Sequence, residues 1–245
     1  MDLICPICGS KLNRLDKSLV CAGHHCFDIA RQGYVNLLTV QQKHSLHPGD
    51  TREQVLSRRA FLEAGYYAPI AKALIAAAKE LMVNSNEIRP SGEFLDVGCG
   101  EGYYSARLAG ALGMRLTGMD ISREAVRCAA GKYKNGLWLC ATASHIPVAD
   151  HSCRLLTSLF ALTMPEEFKR VLRPEGYFFQ VLAAEDHLLG LKSIIYDHLI
   201  EKPKDTVPDV PGFTLVKSVP IRFTFTVEGE QVENLLSMTP HVFRI

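Results

Sequence analysis

The chain has 245 residues, of which 47% are hydrophobic and 22% are charged, and its formal net charge is +1. This length allows one α/β domain of ordinary size plus a small module, and the apolar fraction excludes a disordered chain. The net charge of the whole chain does not indicate any particular binding partner. Residues 1–60, however, contain eight Lys/Arg against five Asp/Glu, which favours either a polyanion near the front of the chain or a solvated basic face.

The beginning of the sequence has no secretory signal pattern, because Met1 to Cys5 lacks a basic segment and a long apolar core. No uninterrupted apolar run approaches the length of a membrane span. We therefore expect a cytoplasmic protein without a membrane partner. In a reducing compartment, the eight cysteines are interpreted as metal ligands or core thiols rather than as disulfides.

Cysteines and histidines are concentrated in residues 1–30. Cys5 and Cys8 are spaced to bind one metal ion from a tight turn, and Cys21 follows about a dozen residues later. Three neighbouring residues are candidates for the fourth ligand, namely His24, His25 and Cys26. Thiolate and imidazole ligands favour Zn²⁺, and so short a segment needs the metal to fold. The spacing therefore predicts a structural zinc module.

A polar loop and two helices are predicted next. Residues 41–50 are polar, and Pro48-Gly49 indicates a turn that could face substrate. Residues 51–81 have a helical pattern, which Gly65 interrupts and Pro69 restarts. Residues 84–92 are expected to link these helices to the first strand of a sheet.

A glycine-rich turn follows that strand. Residues 94–97 are a short buried strand, and Gly98, Gly100 and Gly102 come next at alternate positions before a helix start. Glycines remove the Cβ atoms that would keep a ligand off the backbone, so such a turn can hold a cofactor at a helix N-terminus. A second strand ends at Asp120, where an acid can accept hydrogen bonds from ribose hydroxyls. The two features together predict a nucleoside-containing cofactor.

Strands and helices alternate through the rest of the chain. The later predicted strands are 137–141, 155–161 and 177–183, and the predicted helices are 123–132 with Ser122 as N-cap, 166–172, a stretch opening at 187, and 230–238. Residues 213–227 are predicted to be rich in β-structure, because Phe223, Phe225 and Val227 occupy every second position. This order predicts an α/β fold with a mostly parallel twisted sheet and ligands at the carboxyl ends of its strands.

Three motifs resemble the S-adenosylmethionine site of Rossmann-like class I methyltransferases. They are D-V-G-C-G-E-G-Y at 96–103, G-M-D at 118–120 and V-L-R-P-E-G at 171–176. The resemblance implies S-adenosylmethionine as the cofactor, with its adenine near residues 142–147.

Motifs at the front of the chain narrow the family further. They are Cys5-x-x-Cys8 with Cys21 and His25, Gly33-Tyr34-Val35-Asn36-Leu37-Leu38, Pro48-Gly49-Asp50 and Arg58-Arg59-Ala60-Phe61-Leu62, with Met238-Thr239-Pro240 near the end. With them, the chain resembles the bacterial large-subunit (23S) ribosomal RNA guanine-N1 methyltransferases over nearly its whole length.

That resemblance implies an enzyme that methylates N1 of a guanine in a hairpin of large-subunit ribosomal RNA, works as a homodimer and contains structural zinc. The zinc ligands that it implies are Cys5, Cys8, Cys21 and His25. The cofactor-binding residues that it implies are Tyr67, Asp96, Gly98, Gly100, Glu101, Gly102, Tyr103, Asp120, Ile121, Ala143 and His187. The implied segments are a zinc-ribbon RNA-recognition module at 1–36, a connecting loop and helices at 37–92, and a methyltransferase domain at 93–245.

Departures from the family pattern leave other functions open. Arg154 stands where relatives have Asp, and Ala161-Leu162-Thr163 stands where they have Ala-Pro-Cys. The loop 143–147 is one residue shorter, and we expect the C-terminal strand of the sheet to be lacking because the chain ends soon after Pro240. The alternatives are a catalytically silent relative that binds zinc and cofactor, and a methyltransferase for a small molecule or protein.

Methyl transfer to guanine N1 also requires a proton acceptor, because N1 of neutral guanine carries a proton. The candidates are Glu101, His145 and His187. A base pair hides N1, so the target is a loop base or a flipped base. The candidates for stacking on it are Tyr66, Tyr103, Tyr104 and Phe160, each of which also fits the core.

Overall fold

The structure is a computed structural model, and it describes residues 1–43, 45, 48–83, 92–196, 198 and 205–239. The strands are β1 (Leu12–Leu15), β2 (Ser18–Cys21), β3 (Cys26–Asp28), β4 (Tyr34–Asn36), β5 (Glu93–Val97), β6 (Arg115–Asp120), β7 (Leu137–Cys140), β8 (Cys153–Leu159) and β9 (Leu172–Val181). The α-helices are α1 (Arg52–Glu63), α2 (Ala68–Val83), α3 (Tyr103–Leu112), α4 (Arg123–Lys132), α5 (Pro165–Val171), α6 (Leu189–Ile195) and α7 (Glu230–Met238).

The main sheet has six strands in the order β4-β7-β6-β5-β8-β9, and every pairing in it is parallel. The strand order reverses at β5, because β6 and β7 extend the sheet to one side and β8 and β9 extend it to the other. Ligands of such sheets bind at this switch point, outside the carboxyl ends of the strands. The predicted Rossmann-like α/β fold is thereby confirmed.

Strands β1, β2 and β3 form a separate antiparallel sheet, here called the ribbon. The ribbon packs on one face of the main sheet, since a single buried cluster joins its Leu12 and Leu19 to Val35 of β4 and Leu139 of β7. Strand β4 follows the ribbon and pairs with β7. The ribbon therefore covers part of a sheet face that helices usually cover in parallel α/β folds.

Helices α2, α3 and α4 cover the opposite face. They share a second buried cluster with Phe94 of β5, Leu116 of β6 and Trp138 of β7. The indole of Trp138 lies so close to Gly118 that a Cβ at that position would collide with it. Glycine at 118 is therefore required by close packing in the sheet itself.

A third buried cluster joins α1, the start of α2, α3 and α7. Its fully buried members are Phe61, Leu62, Tyr67, Ile70, Ala71, Tyr103 and Leu235. Helix α1 also contacts α4. The cluster thus ties α1 and the start of α2, which lie between β4 and β5 in the chain, to α3 and to α7, which follows β9.

Residues 213–227 differ from the β-rich segment that the sequence predicts. Ile221, Phe223, Phe225 and Val227 are half-buried against the third cluster and alternate with exposed neighbours, so the period of two is real. Among the residues that the structure describes, however, no strand pairs with this segment. A strand needs a hydrogen-bonded neighbour, and here the alternation reflects packing on one side.

Most other predicted elements are confirmed. Helix α4 spans Arg123–Lys132, and the Oγ of Ser122 caps it by accepting from the N–H of Ala125 at 3.2 Å. Residues 84–91 of the predicted linker, and Pro240, lie outside the described residues. The division at residues 36 and 92 stays a prediction; β4, which ends at Asn36, belongs to the main sheet. None of the described helices is long and apolar enough to span a membrane.

Candidate functional site

The glycine turn lies between β5 and α3, at the switch point of the main sheet. Gly98, Gly100 and Gly102 have φ angles of 79°, 55° and 84°, which glycine adopts without steric cost. The N–H groups of Gly98 and Cys99 donate to the carbonyl of Met119 in β6, at 2.8 and 3.0 Å. These bonds hold the turn against the end of the neighbouring strand.

The three glycines serve different purposes. A Cβ at Gly98 would lie 2.5 Å from the Cβ of Ala161, and a Cβ at Gly102 would lie 2.7 Å from the indole of Trp138. Both are therefore required by packing. A Cβ at Gly100 would meet nothing within 4 Å, so the open side of the turn is at Gly100, where a ligand can approach the backbone.

Asp120 follows from β6 and points its carboxylate at this turn. Its Oδ2 accepts from the N–H of Gly100 at 2.9 Å, and its Oδ1 accepts from the N–H of Ser122 at 2.8 Å. Each oxygen keeps a second lone pair, and the side chain is half-buried. Burial raises the pKa of Asp120. The placement suits the predicted hydrogen bonds to ribose hydroxyls, which stay a prediction.

Asp96 lies beneath the turn rather than on its open side. It is 1% exposed, and its carboxylate accepts from the Oγ of Ser105 at 2.5 Å and from the Oγ1 of Thr157 at 2.6 Å. Burial raises the pKa of Asp96 to about 6. The side chain therefore ties β5 to α3 and β8. Sequence analysis does not identify Ser105 or Thr157 as partners of Asp96. The one available signal is that Thr157 is a polar residue within a predicted buried strand.

Glu101 and Tyr103 are also buried. Glu101 is 5% exposed, and burial raises the pKa of its carboxyl to about 7, while the positive charges of Arg58 and Lys132 act to lower it. Tyr103 is 2% exposed, and the guanidinium carbon of Arg107 lies 3.5 Å from the centre of its ring. Tyr103 thus supports the turn from the third cluster.

Tyr67 and His187 are brought together from distant parts of the chain. The Tyr67 hydroxyl lies 3.4 Å from the Nε2 of His187, and burial raises the pKa of Tyr67 to about 12. The ring of His187 lies 6.1 Å from that of Phe160, which follows β8 directly. These side chains join the start of α2, the segment after β9 and the end of β8 beside the turn.

Two further predicted residues follow the next strands of the sheet. Ile121 comes directly after Asp120 and packs against the helix-side cluster, while Ala143 follows β7 and packs against the ribbon-side cluster. His145 is exposed in the same loop as Ala143. Because the carboxyl ends of β5, β6 and β7 are adjacent, the predicted cofactor-binding residues of the turn and of these loops lie at one edge of the sheet.

The end of the predicted polar loop before α1, with its turn at Pro48-Gly49, lies against this edge. Gly49 has a φ of 79°, and a Cβ there would lie 2.8 Å from the Cβ of Ser122. The Oγ of Ser122 donates to the carbonyl of Asp50 at 2.7 Å. Arg58 of α1 pairs with the Asp50 carboxylate and donates to the carbonyl of Met238 at 3.3 Å. Helices α1 and α7 thus hold the loop beside the residues that follow Asp120.

Four metal-ligand atoms meet near the start of the chain. Those of Cys5, Cys8, Cys21 and His25 all lie within 4.8 Å of one another. The Nδ1 of His25 lies 3.5 Å from the Sγ of Cys5 and 3.4 Å from that of Cys21, and the Sγ atoms of Cys8 and Cys21 are 3.6 Å apart. Tetrahedral zinc with bonds of about 2.0–2.3 Å requires separations of about 3.4–3.8 Å. The cluster therefore fits zinc.

The geometry favours His25 over its neighbours as the fourth ligand. Cys26 and His24 are exposed and lie outside the four-residue cluster.

The pKa of the Cys8 thiol is lowered to about 6, and the largest cause of this shift is a hydrogen bond from Ser10. A lowered pKa favours the thiolate form that binds metal ions.

S-adenosylmethionine also fits the residues at the sheet edge. The open side of Gly100 leaves space against the backbone, and Asp120 presents a partly exposed carboxylate next to it. A nucleoside with two ribose hydroxyls can use such an acceptor, and the zwitterionic amino-acid end can use backbone groups at the N-terminus of α3.

Comparisons with known proteins find matches both for the front of the chain and for the part that contains the glycine turn. A family model described as the zinc ribbon of RlmA, N-terminal, matches residues 3–46, and one described as a methyltransferase domain matches residues 95–180. A Streptomyces fradiae protein named 23S rRNA (guanine(748)-N(1))-methyltransferase is 31% identical over 97% of this chain and 84% of its own. A Micromonospora griseorubida protein provisionally named 23S rRNA (guanine-N(1)-)-methyltransferase is 37% identical over 77% of this chain and 68% of its own.

A more distant likeness covers only part of the chain. The demethylmenaquinone methyltransferase of Chlorobaculum tepidum is 28% identical over 57% of this chain and 58% of its own length.

Proposed function

Because the chain belongs to the 23S rRNA (guanine-N1) methyltransferase family, we propose that it transfers a methyl group from S-adenosylmethionine to N1 of a guanine in a hairpin of large-subunit ribosomal RNA. The observation that carries the proposal is the likeness to a named enzyme of this activity over 97% of the chain. Its cofactors are S-adenosylmethionine and structural zinc, as the sequence predicts.

The residues at the carboxyl edge of the sheet would hold the cofactor. We assign the open backbone of Gly100 to its amino-acid end, Asp120 to its ribose, and Ile121 and Ala143 to the flanks of its adenine. Asp96 and Tyr103 support the turn from below, and Gly98 and Gly102 allow its close packing on Ala161 and Trp138. The cofactor supplies an electrophilic methyl group, and the task of the protein is to align N1 with it, which can lower a barrier by several kcal/mol.

N1 of guanine loses its proton as its bond to the methyl carbon forms, so a proton acceptor belongs near the target base. Glu101 is buried, and His145 is exposed in the loop after β7. We favour His187 as the acceptor, because its ring packs against Phe160, which follows β8, the strand that pairs with β5 and leads to the same sheet edge as the glycine turn.

The ribbon supports recognition of RNA in this proposal. Lys11 just before β1, Arg14 in β1 and Lys17 in the turn before β2 are exposed, and phosphate contacts from such side chains give sequence-independent affinity. A homodimer and a cytoplasmic location complete the proposed function, because the family resemblance implies a homodimer and the substrate is ribosomal RNA.

Labelled methyl transfer tests the proposal. Purified protein, labelled S-adenosylmethionine and unmodified 23S rRNA are expected to give label in the RNA, whereas demethylmenaquinone as the acceptor is expected to give none. Gly100→Ala is expected to abolish transfer, because its Cβ enters the space next to the turn. Gly110→Ala is the matched control, since a Cβ at that helical position meets nothing within 4 Å. Label in demethylmenaquinone but not in RNA would overturn the proposal.

A further inference from the structure

Phe160 is a strained and exposed aromatic residue at the switch point of the sheet. Its φ is +56°, a region that bulky side chains rarely adopt, and its side chain is 43% exposed. It follows β8 directly, and the next residue, Ala161, lies against Gly98 of the glycine turn. Strain of this kind persists only where surrounding contacts enforce it, and it is concentrated at functional sites.

Hydrogen bonds enforce this conformation. The N–H of Phe160 donates to the carbonyl of Val181 at 2.9 Å, and the side-chain amide of Gln180 donates to the Oγ1 of Thr163 at 2.6 Å. Both partners lie on β9, the strand next to β8. The loop 160–163 is thus fixed to the sheet, and the exposed position of the ring is built into it.

A second residue with a left-handed backbone lies next in the chain to His187, the ring neighbour of Phe160. Phe160 faces His187, with 6.1 Å between the ring centres and 31° between the ring planes. Leu188, the next residue, has a φ of +55°. Two non-glycine residues in the left-handed region, Phe160 and Leu188, are therefore part of this ring contact or adjacent to it. Strand β8, which Phe160 follows, and strand β6, which ends at Asp120, lie on opposite sides of β5.

The other aromatic candidates are engaged in the core. Tyr103 is 2% exposed, Tyr66 stacks on Phe61 with 4.6 Å between ring centres, and the hydroxyl of Tyr104 is buried. Phe160 is the candidate that keeps a large exposed aromatic surface next to the glycine turn.

We propose that the ring of Phe160 is the platform on which the target guanine stacks, an inference that rests on the proposed function. An unpaired base has two flat faces, and an aromatic ring stabilises it by stacking without regard to sequence. A base on this ring lies beside the glycine turn, where the cofactor is assigned, and beside His187, the favoured proton acceptor. Phe160 therefore acts as a positioning residue for the base.

Kinetics of substituted proteins test this role. Phe160→Leu and Phe160→Gly are expected to lower kcat/KM for 23S rRNA by about 5- to 150-fold, the range that loss of one base–aromatic stack gives. Phe160→Tyr is expected to stay within about threefold of the natural protein, because its ring also stacks. The Kd for S-adenosylmethionine, measured without RNA, is expected to be unchanged in all three.

The glycine variant separates stacking from a structural role. Glycine adopts a positive φ without strain, so Phe160→Gly is expected to melt at the same temperature as the natural protein or higher while losing activity. Leu162→Ala is the matched control, because Leu162 is 79% exposed in the same loop, and its activity is expected to be retained.

Two outcomes would overturn the stacking role while leaving the proposed function intact. They are full activity of Phe160→Leu on RNA, and a loss of activity that a weaker affinity for S-adenosylmethionine explains. If the natural protein labels no RNA at all, the proposed function fails, and the stacking role fails with it.

Discussion

Two acidic side chains are buried around the glycine turn, and their burial makes stability depend on pH. Burial raises the pKa of Asp96 to about 6 and that of Glu101 to about 7, against ordinary values near 4. A raised folded-state pKa means that the folded protein retains protons which the unfolded chain has lost. The associated stability is complete below the unfolded pKa and is lost as the pH rises through the folded pKa.

Glu101→Gln is therefore expected to flatten the pH dependence of stability. Between pH 5.5 and 8 the natural protein, without cofactor, should lose about 2 kcal/mol of unfolding free energy through Glu101, and the amide should not show this loss. Urea unfolding at several pH values measures it. Glu63→Gln is the matched control, because a hydrogen bond from Lys132 lowers the pKa of Glu63 and its titration lies below this range. Parallel curves for Glu101→Gln and the natural protein would contradict the account.

At the scale of residues, sequence patterns predict positions better than contacts. The spacing of Gly98, Gly100, Gly102 and Asp120 predicts the glycine turn and the acid beside it. The local sequence determines the turn, and the length of the strand that ends at Asp120 determines how far this acid lies from the turn. The strain at Phe160 has no local signal. It depends on hydrogen bonds to β9, which only the assembled sheet supplies.

At the scale of elements, the loop that contains Gly49 and Asp50 lies between Ser122 at the start of α4 and Arg58 of α1, close to Asp120. Its contacts to Ser122 and Arg58 place it over the residues to which the ribose is assigned. Arg58 bridges the Asp50 carboxylate of this loop and the carbonyl of Met238 at the end of α7.

Arg58→Ala is therefore expected to weaken binding of S-adenosylmethionine about 3- to 10-fold, the range for loss of a partly exposed ion pair together with a charged hydrogen bond. Calorimetric titration measures it. Arg59→Ala is the matched control: Arg59 pairs with Glu63 on the same helix and is expected to leave cofactor affinity unchanged. Equal affinities of Arg58→Ala and the natural protein would remove the loop from the cofactor site.

The order of helices and parallel strands is predictable from hydrophobic periodicity and capping, as α4 and its cap Ser122 illustrate. Periodicity describes which side chains are buried, however, and not which backbone groups pair. The segment 213–227 has the alternation of a strand but no pairing partner within the described part of the chain, because its aromatic side chains pack on helices of the third cluster.

At the scale of the whole molecule, the ribbon is part of the main fold. Cys5 and Cys21 of the metal cluster belong to the same buried cluster as Val35, Leu139 and Val148 of the main sheet and its loops. The spacing of the cysteines predicts the metal site but not its packing against the main sheet. The composition of the first residues alone is that of a separate module. Folding of the ribbon around zinc should therefore stabilise the sheet as well.

Cys21→Ser is accordingly expected to release zinc and to lower the melting temperature of the entire chain, with faster amide exchange in β4 and β7 as well as in the ribbon. Cys26→Ser is the matched control, since Cys26 is exposed and lies outside the cluster, and it should retain zinc and stability. Zinc content and hydrogen exchange measure both variants. Faster exchange confined to β1–β3 would show that the ribbon is independent of the sheet.

The central claim concerns the base that is methylated, and nucleoside analysis tests it most directly. Unmodified 23S rRNA is incubated with the protein and S-adenosylmethionine, digested to nucleosides and analysed by mass spectrometry, while primer extension locates the modified position. The account predicts 1-methylguanosine at one guanine of a hairpin, where the methyl group on N1 stops reverse transcription. A methyl group on another base or another guanine atom, or none, would contradict it.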